Sequence, residues 1–222
     1  MDYTVWAPAY SHASGGVRAL YELCDRICES EYSAYPRKEY IPGTIAVYPE
    51  VIRGNLFKAA KVVRWALNAP GYLGGEDRYD PNELLFTWDK RFVDLPSDRI
   101  LKVDIIDSRF YDYGKDRSGD CFWIGKGRVK GYIPGREVEG MEEITPSYPS
   151  KREDLVDMLN SKVTLFSYDD CTALNLEALL CGCKVVLLPE QRELFLKDLL
   201  LHDDYKSQLS NFIRITQEWS HE

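Results

Sequence analysis

Val163–Pro189, VTLFSYDDCTALNLEALLCGCKVVLLP, is the stretch whose reading decides the fold. VTLF is a short apolar run rich in β-forming residues. Asp169, Asp170 and Thr172 can accept from the free N–H groups that open a helix. Leu174, Leu176, Ala178, Leu179 and Cys181 give that helix a broad apolar surface. Gly182 stops it, and KVVLLP returns as a second buried strand. Such a strand–helix–strand unit builds a parallel sheet, whose ligands sit at the carboxyl ends of the strands. The polar turn SYDDCT lies at such an end and is the first place to look for a site.

The same alternation continues outward. Upstream lie ILKVDII (100–106) and GDCFWIGKG (119–127), both strand-like, then a Gly/Pro-bearing stretch and the helix KREDLVDMLNS (151–161). In the first half, DYTVWA (2–7), TIAVYP (44–49) and ELLFTW (83–88) read as strands. VRALYELCDRICES (17–30) carries apolar residues at helical spacing, and LFKAAKVVRWALN (56–68) reads as a helix ended by Pro70-Gly71. DKRFVDLPSDR (89–99) is polar and loop-like. The expected class is α/β, two small Rossmann-like lobes with parallel sheets, compressed in size. Their bounds are 1–95 and 96–190, followed by a helical tail, 191–222, with a possible break at His202-Asp203-Asp204. No internal repeat or low-complexity tract is visible.

Composition sets outer limits. At 222 residues, 45% hydrophobic and 13% aromatic, the chain can bury a real core. A net charge of −8 disfavours wholesale binding to nucleic acid. MDYTVWAPAY lacks the basic start and apolar core of a signal peptide, and no stretch reaches membrane-span length. The expectation is a cytoplasmic protein without a transmembrane segment. The acidic composition offers no clear membrane-docking signature, although peripheral contact near a lipid-linked acceptor stays open. Cys24, Cys28, Cys121, Cys171, Cys181 and Cys183 form no pair of pairs at metal-finger spacing. His12, His202 and His221 lie far from them, so buried thiols are expected and a zinc site is not.

The run from Asp169 to Val186, DDCTALNLEALLCGCKVV, resembles the donor-binding segment of GT-B glycosyltransferases of the group 1, retaining type. There an acidic residue, seven intervening residues and a Glu precede an Ala-rich helix that ends Cys-Gly and leads into a Val-Val strand. Asp169 and Glu177 have that spacing, with Asp in place of the usual first Glu. The resemblance implies that Asp169 orients the donor sugar and that Glu177 holds the ribose hydroxyls. Asp170, Thr172 and Asn175 line the helix start, whose N–H groups face the diphosphate. WIGKGRVKG (123–131) resembles the second lobe's early strand and the basic residues that grip the diphosphate, here Lys126, Arg128 and Lys130. GKGRVKG matches neither a Walker motif nor a dinucleotide fingerprint. SGG (14–16) resembles the glycine turn of the N-terminal lobe, placing Gly15 and Gly16 beside donor or acceptor. YPEVIRGNLFKAAKVVRWALNAPG (48–71) resembles the N-lobe segment of bacterial transferases acting on sugar polymers. It implies Glu50, Arg53 and Asn55 on the acceptor side, Arg64 on the following helix, and His12 in contact with acceptor or pyrophosphate.

Each motif has a structural alternative: capping residues, a solvated basic strand end, a helix face, a loop hydrogen-bonder. The implied function is hexosyl transfer from a nucleotide-sugar donor to a glycan or other hydroxyl acceptor. Asp169, Glu177 and Lys126 stand nearest the chemistry, and no metal or other cofactor is implied. Two readings compete. A metal-dependent transferase would use acidic pairs such as Asp104/Asp107 and Asp169/Asp170. A truncated, non-catalytic module would bind a nucleotide-sugar or a protein partner. A dinucleotide oxidoreductase is the poorer option, because no G-x-G-x-x-G follows the first strand.

Overall fold

The computed structural model describes residues 1–199 and 205–221, so the helix break expected at 202–204 lies outside the described residues. The chain divides into two compact units, one of residues 1–104 with 201–222, the other of residues 105–200. Each holds a five-stranded sheet, and the expected α/β class with two small, parallel-rich Rossmann-like lobes is what the structure has.

The first unit contains β1 (Tyr3–Trp6), α1 (Gly15–Cys28), β2 (Ala34–Arg37), β3 (Ile45–Pro49), β4 (Val62–Ala66) and β5 (Leu84–Thr87). Its strands lie in the order β2-β1-β3-β4-β5, all parallel. Every residue of β3 and β4 is buried, as central strands covered on both faces should be. Ser14 caps α1, accepting from Val17 N at 3.2 Å. The C-terminal helix of the chain packs on this unit: Tyr3 Oη and Thr216 Oγ1 lie 2.7 Å apart, and Lys61 Nζ donates to Trp219 O at 2.9 Å.

The second unit contains β6 (Asp120–Trp123), β7 (Glu142–Ile144), α2 (Arg152–Ser161), β8 (Thr164–Ser167), α3 (Ala173–Leu180), β9 (Lys184–Leu187), β10 (Arg192–Leu194) and α4 (Leu196–Leu199). The order is β10-β9-β8-β6-β7, parallel except that β10 runs antiparallel to β9. Leu155, Leu159, Leu165, Ala178 and Val185 join α2 and α3 to one face of the sheet. Phe122, Ile124, Val138 and Tyr168 form a smaller cluster of their own. Counted in chain order within each unit, both sheets read second, first, third, fourth, fifth. A topological switch point therefore lies between β1 and β3 in the first unit, and between β6 and β8 in the second.

The structure corrects four local expectations. LFKAAKVVRWALN is not a helix. Its first half is a loop in which Asn55 clamps Ala59 through two hydrogen bonds, and VVRWA is β4. A continuous apolar run fits a buried strand or a buried helix equally by periodicity, and the Val-Val-Trp content decides for the strand. Arg64 consequently lies on β4, fully buried, and not on a helix. ILKVDII forms no strand; a single bridge, Ile100 to Thr87, and Leu101 N to Thr87 O at 2.9 Å tie it to β5. The tail is not helical from its start, because Arg192–Leu194 pairs with β9 before the helices at 196–199 and at α5 (Tyr205–Ser220). β2, unforeseen in the sequence, contains Pro36, which an edge strand tolerates.

Candidate functional site

The carboxyl ends of β6 and β8 meet at the switch point of the second unit. β6 ends at Trp123 and runs into a 3-10 turn, Gly125–Arg128. β8 ends at Ser167 and runs into Tyr168–Thr172, which caps α3. Tyr168 N donates to Trp123 O at 2.8 Å, so the two exits stay side by side. Two glycines make the approach possible. A Cβ on Gly127 would sit 2.8 Å from Tyr168 O. One on Gly125, whose φ is +50°, would sit 2.1 Å from Trp123 Nε1 and 2.7 Å from Asp169 Oδ2.

Asp169 ties the two loops together. Its carboxylate accepts from Lys126 N at 3.0 Å and Cys171 N at 3.1 Å, and lies 3.3 Å from Lys126 Nζ. Its carbonyl accepts from Ser167 Oγ at 3.0 Å and Asn175 Nδ2 at 2.8 Å. Lys126 Nζ also donates to Cys171 O. One step further out, Lys130 Nζ pairs with Asp170 at 3.0 Å, and Arg128 pairs with Glu143. Thr172 Oγ1 accepts from Leu174 N at 3.3 Å and caps α3. The Lys126 and Lys130 side chains are 25% and 40% exposed while Asp169 is 3% exposed, so both cations are partly open to solvent and Asp169 holds Lys126 from beneath. Two buried polar atoms here lack a hydrogen-bond partner, Trp123 Nε1 and Asn175 Oδ1.

Glu177 belongs to a different arrangement. It is buried on α3, and Arg152 grips both its oxygens, at 2.6 and 3.2 Å. Arg152 also reaches Asp107 at 3.4 Å and lies 4.3 Å above the Phe110 ring. Arg109 pairs with Asp107 at 2.7 Å, and that hydrogen bond, against burial, holds the Asp107 carboxyl well below the ordinary carboxylate range. Contact of Glu177 with a ribose therefore requires Arg152 to be displaced. This network escaped the sequence reading, although one signal exists. Arg152 is the first residue of α2, where the helix dipole disfavours a cation, so a buried acid nearby is the natural compensation. Tyr168 and Glu137 form a further pair. Burial and the Glu137 carboxylate push the Tyr168 hydroxyl up to about 12, and its hydrogen bond holds Glu137 below its usual value.

In the first unit, three of the expected acceptor-side residues, Glu50, Arg53 and Asn55, are committed to the backbone. Glu50 is buried at the end of β3 and accepts from Leu67 N at 3.0 Å. Asn55 Oδ1 accepts from Ala59 N at 3.0 Å and its Nδ2 donates to Ala59 O at 2.8 Å. Arg53 Nε donates to Gly75 O at 3.2 Å. Gly15 and Gly16 open α1, and His12 is exposed with its ring edge-on to Tyr10 at 4.8 Å. Arg64 is spent inside, on Glu83 at 2.9 Å and on the carbonyls of Ile52 and Gly54 at 2.7 and 3.2 Å.

Among the described residues no group of three or more His, Cys, Asp or Glu side chains could hold a metal ion, and no helix is long and apolar enough to cross a membrane. Comparison with family models, with curated proteins and with solved structures gives no match.

Proposed function

We propose that the second unit binds a nucleotide-sugar at the β6/β8 switch point and that the chain transfers its sugar to a hydroxyl acceptor, in the manner of the retaining GT-B transferases its sequence resembles. One observation carries the reading. Lys126 and Lys130, partly open to solvent, are held by Asp169 and Asp170 across the carboxyl ends of the two strands where a parallel sheet receives its ligands. Two cations beside the start of α3 suit a diphosphate, whose negative charge grows as the sugar departs. Within this reading Asp169 is a positioning residue, because its carboxylate already serves Lys126 and Cys171. Glu177 supports α3 through Arg152 and is not free for ribose in this conformation.

A non-catalytic nucleotide-sugar-binding module is the second reading. It is favoured by the first unit, where Glu50 and Asn55 satisfy loop backbone and no helix intervenes between β2 and β5.

The test is calorimetric titration of the full chain with a panel of nucleotide-sugars, alongside Lys126→Met and Lys130→Gln. Saturable binding of one donor, weakened about tenfold or more by Lys126→Met, is expected for a charge-assisted contact. A folded wild type that binds no donor sinks the proposal. Binding without sugar transfer to any acceptor selects the second reading.

A further inference from the structure

The loop that leaves the site has a property the sugar chemistry does not use. Residues 126–136, KGRVKGYIPGR, contain four cations and no acid, within a chain of net charge −8. Their apolar side chains stand in the open. Ile133 is 84% exposed, the most of any large hydrophobic among the described residues, Val129 is 59% exposed and Tyr132 37%. The loop is nonetheless built. Val129 N donates to Lys126 O at 3.0 Å, Gly131 N to Arg128 O at 3.1 Å and Tyr132 N to Gly127 O at 3.0 Å. The Tyr132 ring lies 6.0 Å from that of buried Tyr168, which anchors the base of the loop while Ile133 stays outside.

We propose that this loop docks the protein on an anionic lipid surface. Val129 and Ile133 enter the boundary between headgroups and acyl chains, Tyr132 sits at headgroup depth, and Arg128 and Arg136 meet lipid phosphates. Exposed aliphatic side chains on a loop that also carries exposed cations suit an interface that is apolar within and negative at its surface. An acidic protein would satisfy the cations and leave Ile133 without a partner. The opposing charges are few and local. Arg128 pairs with Glu143 at the surface, where such a pair contributes little and exchanges readily for phosphate. The Glu137 carboxylate is engaged by the Tyr168 hydroxyl and Gly135 N, which leaves exposed Glu139 as the nearby acid that works against docking. The inference is independent of which ligand the neighbouring site takes.

Co-sedimentation of the full chain with phosphatidylcholine vesicles, with and without phosphatidylglycerol, tests it. Binding is expected only to the anionic vesicles and should fall as salt is raised. Ile133→Asp should weaken it about tenfold or more, and Arg128→Gln and Arg136→Gln about fivefold each. Leu56→Asp, at a 61% exposed position in the first unit, should leave it unchanged. Because Ile133 is so exposed, its substitution should not shift the unfolding midpoint, which serves as the folding control. No binding to anionic vesicles, or binding that Ile133→Asp and Arg128→Gln leave intact, overturns the proposal. Capture of a purified acidic protein in place of vesicles does so as well.

Discussion

At the carboxyl edge of the first unit, Glu50 accepts from Leu67 N, and in the loop between β3 and β4 Asn55 clamps Ala59. At the same edge of the second, Lys126 and Lys130 lean on Asp169 and Asp170 with their side chains partly open to solvent. The strand order is shared, but the way polar groups are satisfied is not. In the first unit, side chains complete the backbone hydrogen bonds of long loops, which a ligand would have to break. In the second, side chains serve the backbone too, Asp169 at Lys126 N and Cys171 N and Thr172 at Leu174 N, but Lys126 and Lys130 add partly exposed ion pairs whose carboxylates a stronger anion can replace. A shared topology supplies a place for a site; whether a site exists depends on which groups are left over.

Each unit also buries one Arg–Glu pair, and these give the largest expected effects. Arg64→Ala leaves Glu83 uncompensated and two carbonyls unserved, and should cost about 3–5 kcal/mol. Arg152→Ala should fall at the lower end of that range, because its side chain is 15% exposed against 0% for Arg64. Urea unfolding of both variants checks this. Equal and small losses would erase the contrast between the two pairs.

Next come two glycines that permit close approach. A Cβ on Gly75, at φ +77°, would lie 2.0 Å from Glu50 O, and one on Gly125 would strike Trp123 and Asp169. Each Ala variant should lose about 2–3 kcal/mol. Only Gly125→Ala should also weaken ligand binding after correction for the folded fraction. If Gly75→Ala weakens binding as much, the site is not confined to the second unit.

A smaller contrast follows from the loop clamps. Asn55→Ala should cost about 1 kcal/mol of stability and leave donor affinity unchanged, whereas Lys126→Met should weaken donor binding after correction for the folded fraction. The smallest effect is a pH dependence. The folded Asp107 carboxyl is held below its unfolded value of about 4, so its contribution is present above that pH and is lost as pH falls toward the folded value. Asp107→Asn should flatten the acid limb of the stability curve. An unaltered limb would show that Arg109 and Arg152 hold Asp107 no more firmly than solvent does.

The β8–α3–β9 segment of the second unit was more legible than β4 of the first, while β7 and β10 in the same unit were not foreseen. VTLF, the Asp-Asp-Cys-Thr cap, the Gly182 stop and KVVL each carry their own local signal, and all four agree with the strand, helix and strand found. KVVRWA is composed much like KVVLLP and occupies the same, fourth, place in its sheet, yet it was read as helix. The residues before it, LFKAA, complete a false helical period, and Asn55, which makes them a loop, acts through bonds to Ala59 that no pattern displays. Among site residues, Lys126, Lys130, Asp169 and Asp170 were named from sequence. Their pairing across strands about forty positions apart was not. Glu177 shows the converse: its place on α3 was correct, but its partner Arg152 lies 25 positions away on another helix.

By itself, the sequence determined the α/β class, the strand–helix–strand unit whose helix is capped by Thr172, and the candidate residues around it. Those follow from backbone propensity, capping and burial pattern, which act over a few residues. Only the tertiary structure decided that β6 lies beside β8, that Asp169 serves Lys126, that Glu177 is held by Arg152 and that Arg64 is buried. Those are pairings between distant segments. A charged side chain looks the same in the sequence whether its partner is water or a buried counter-charge, and burial alone separates a surface group from one that shapes a site.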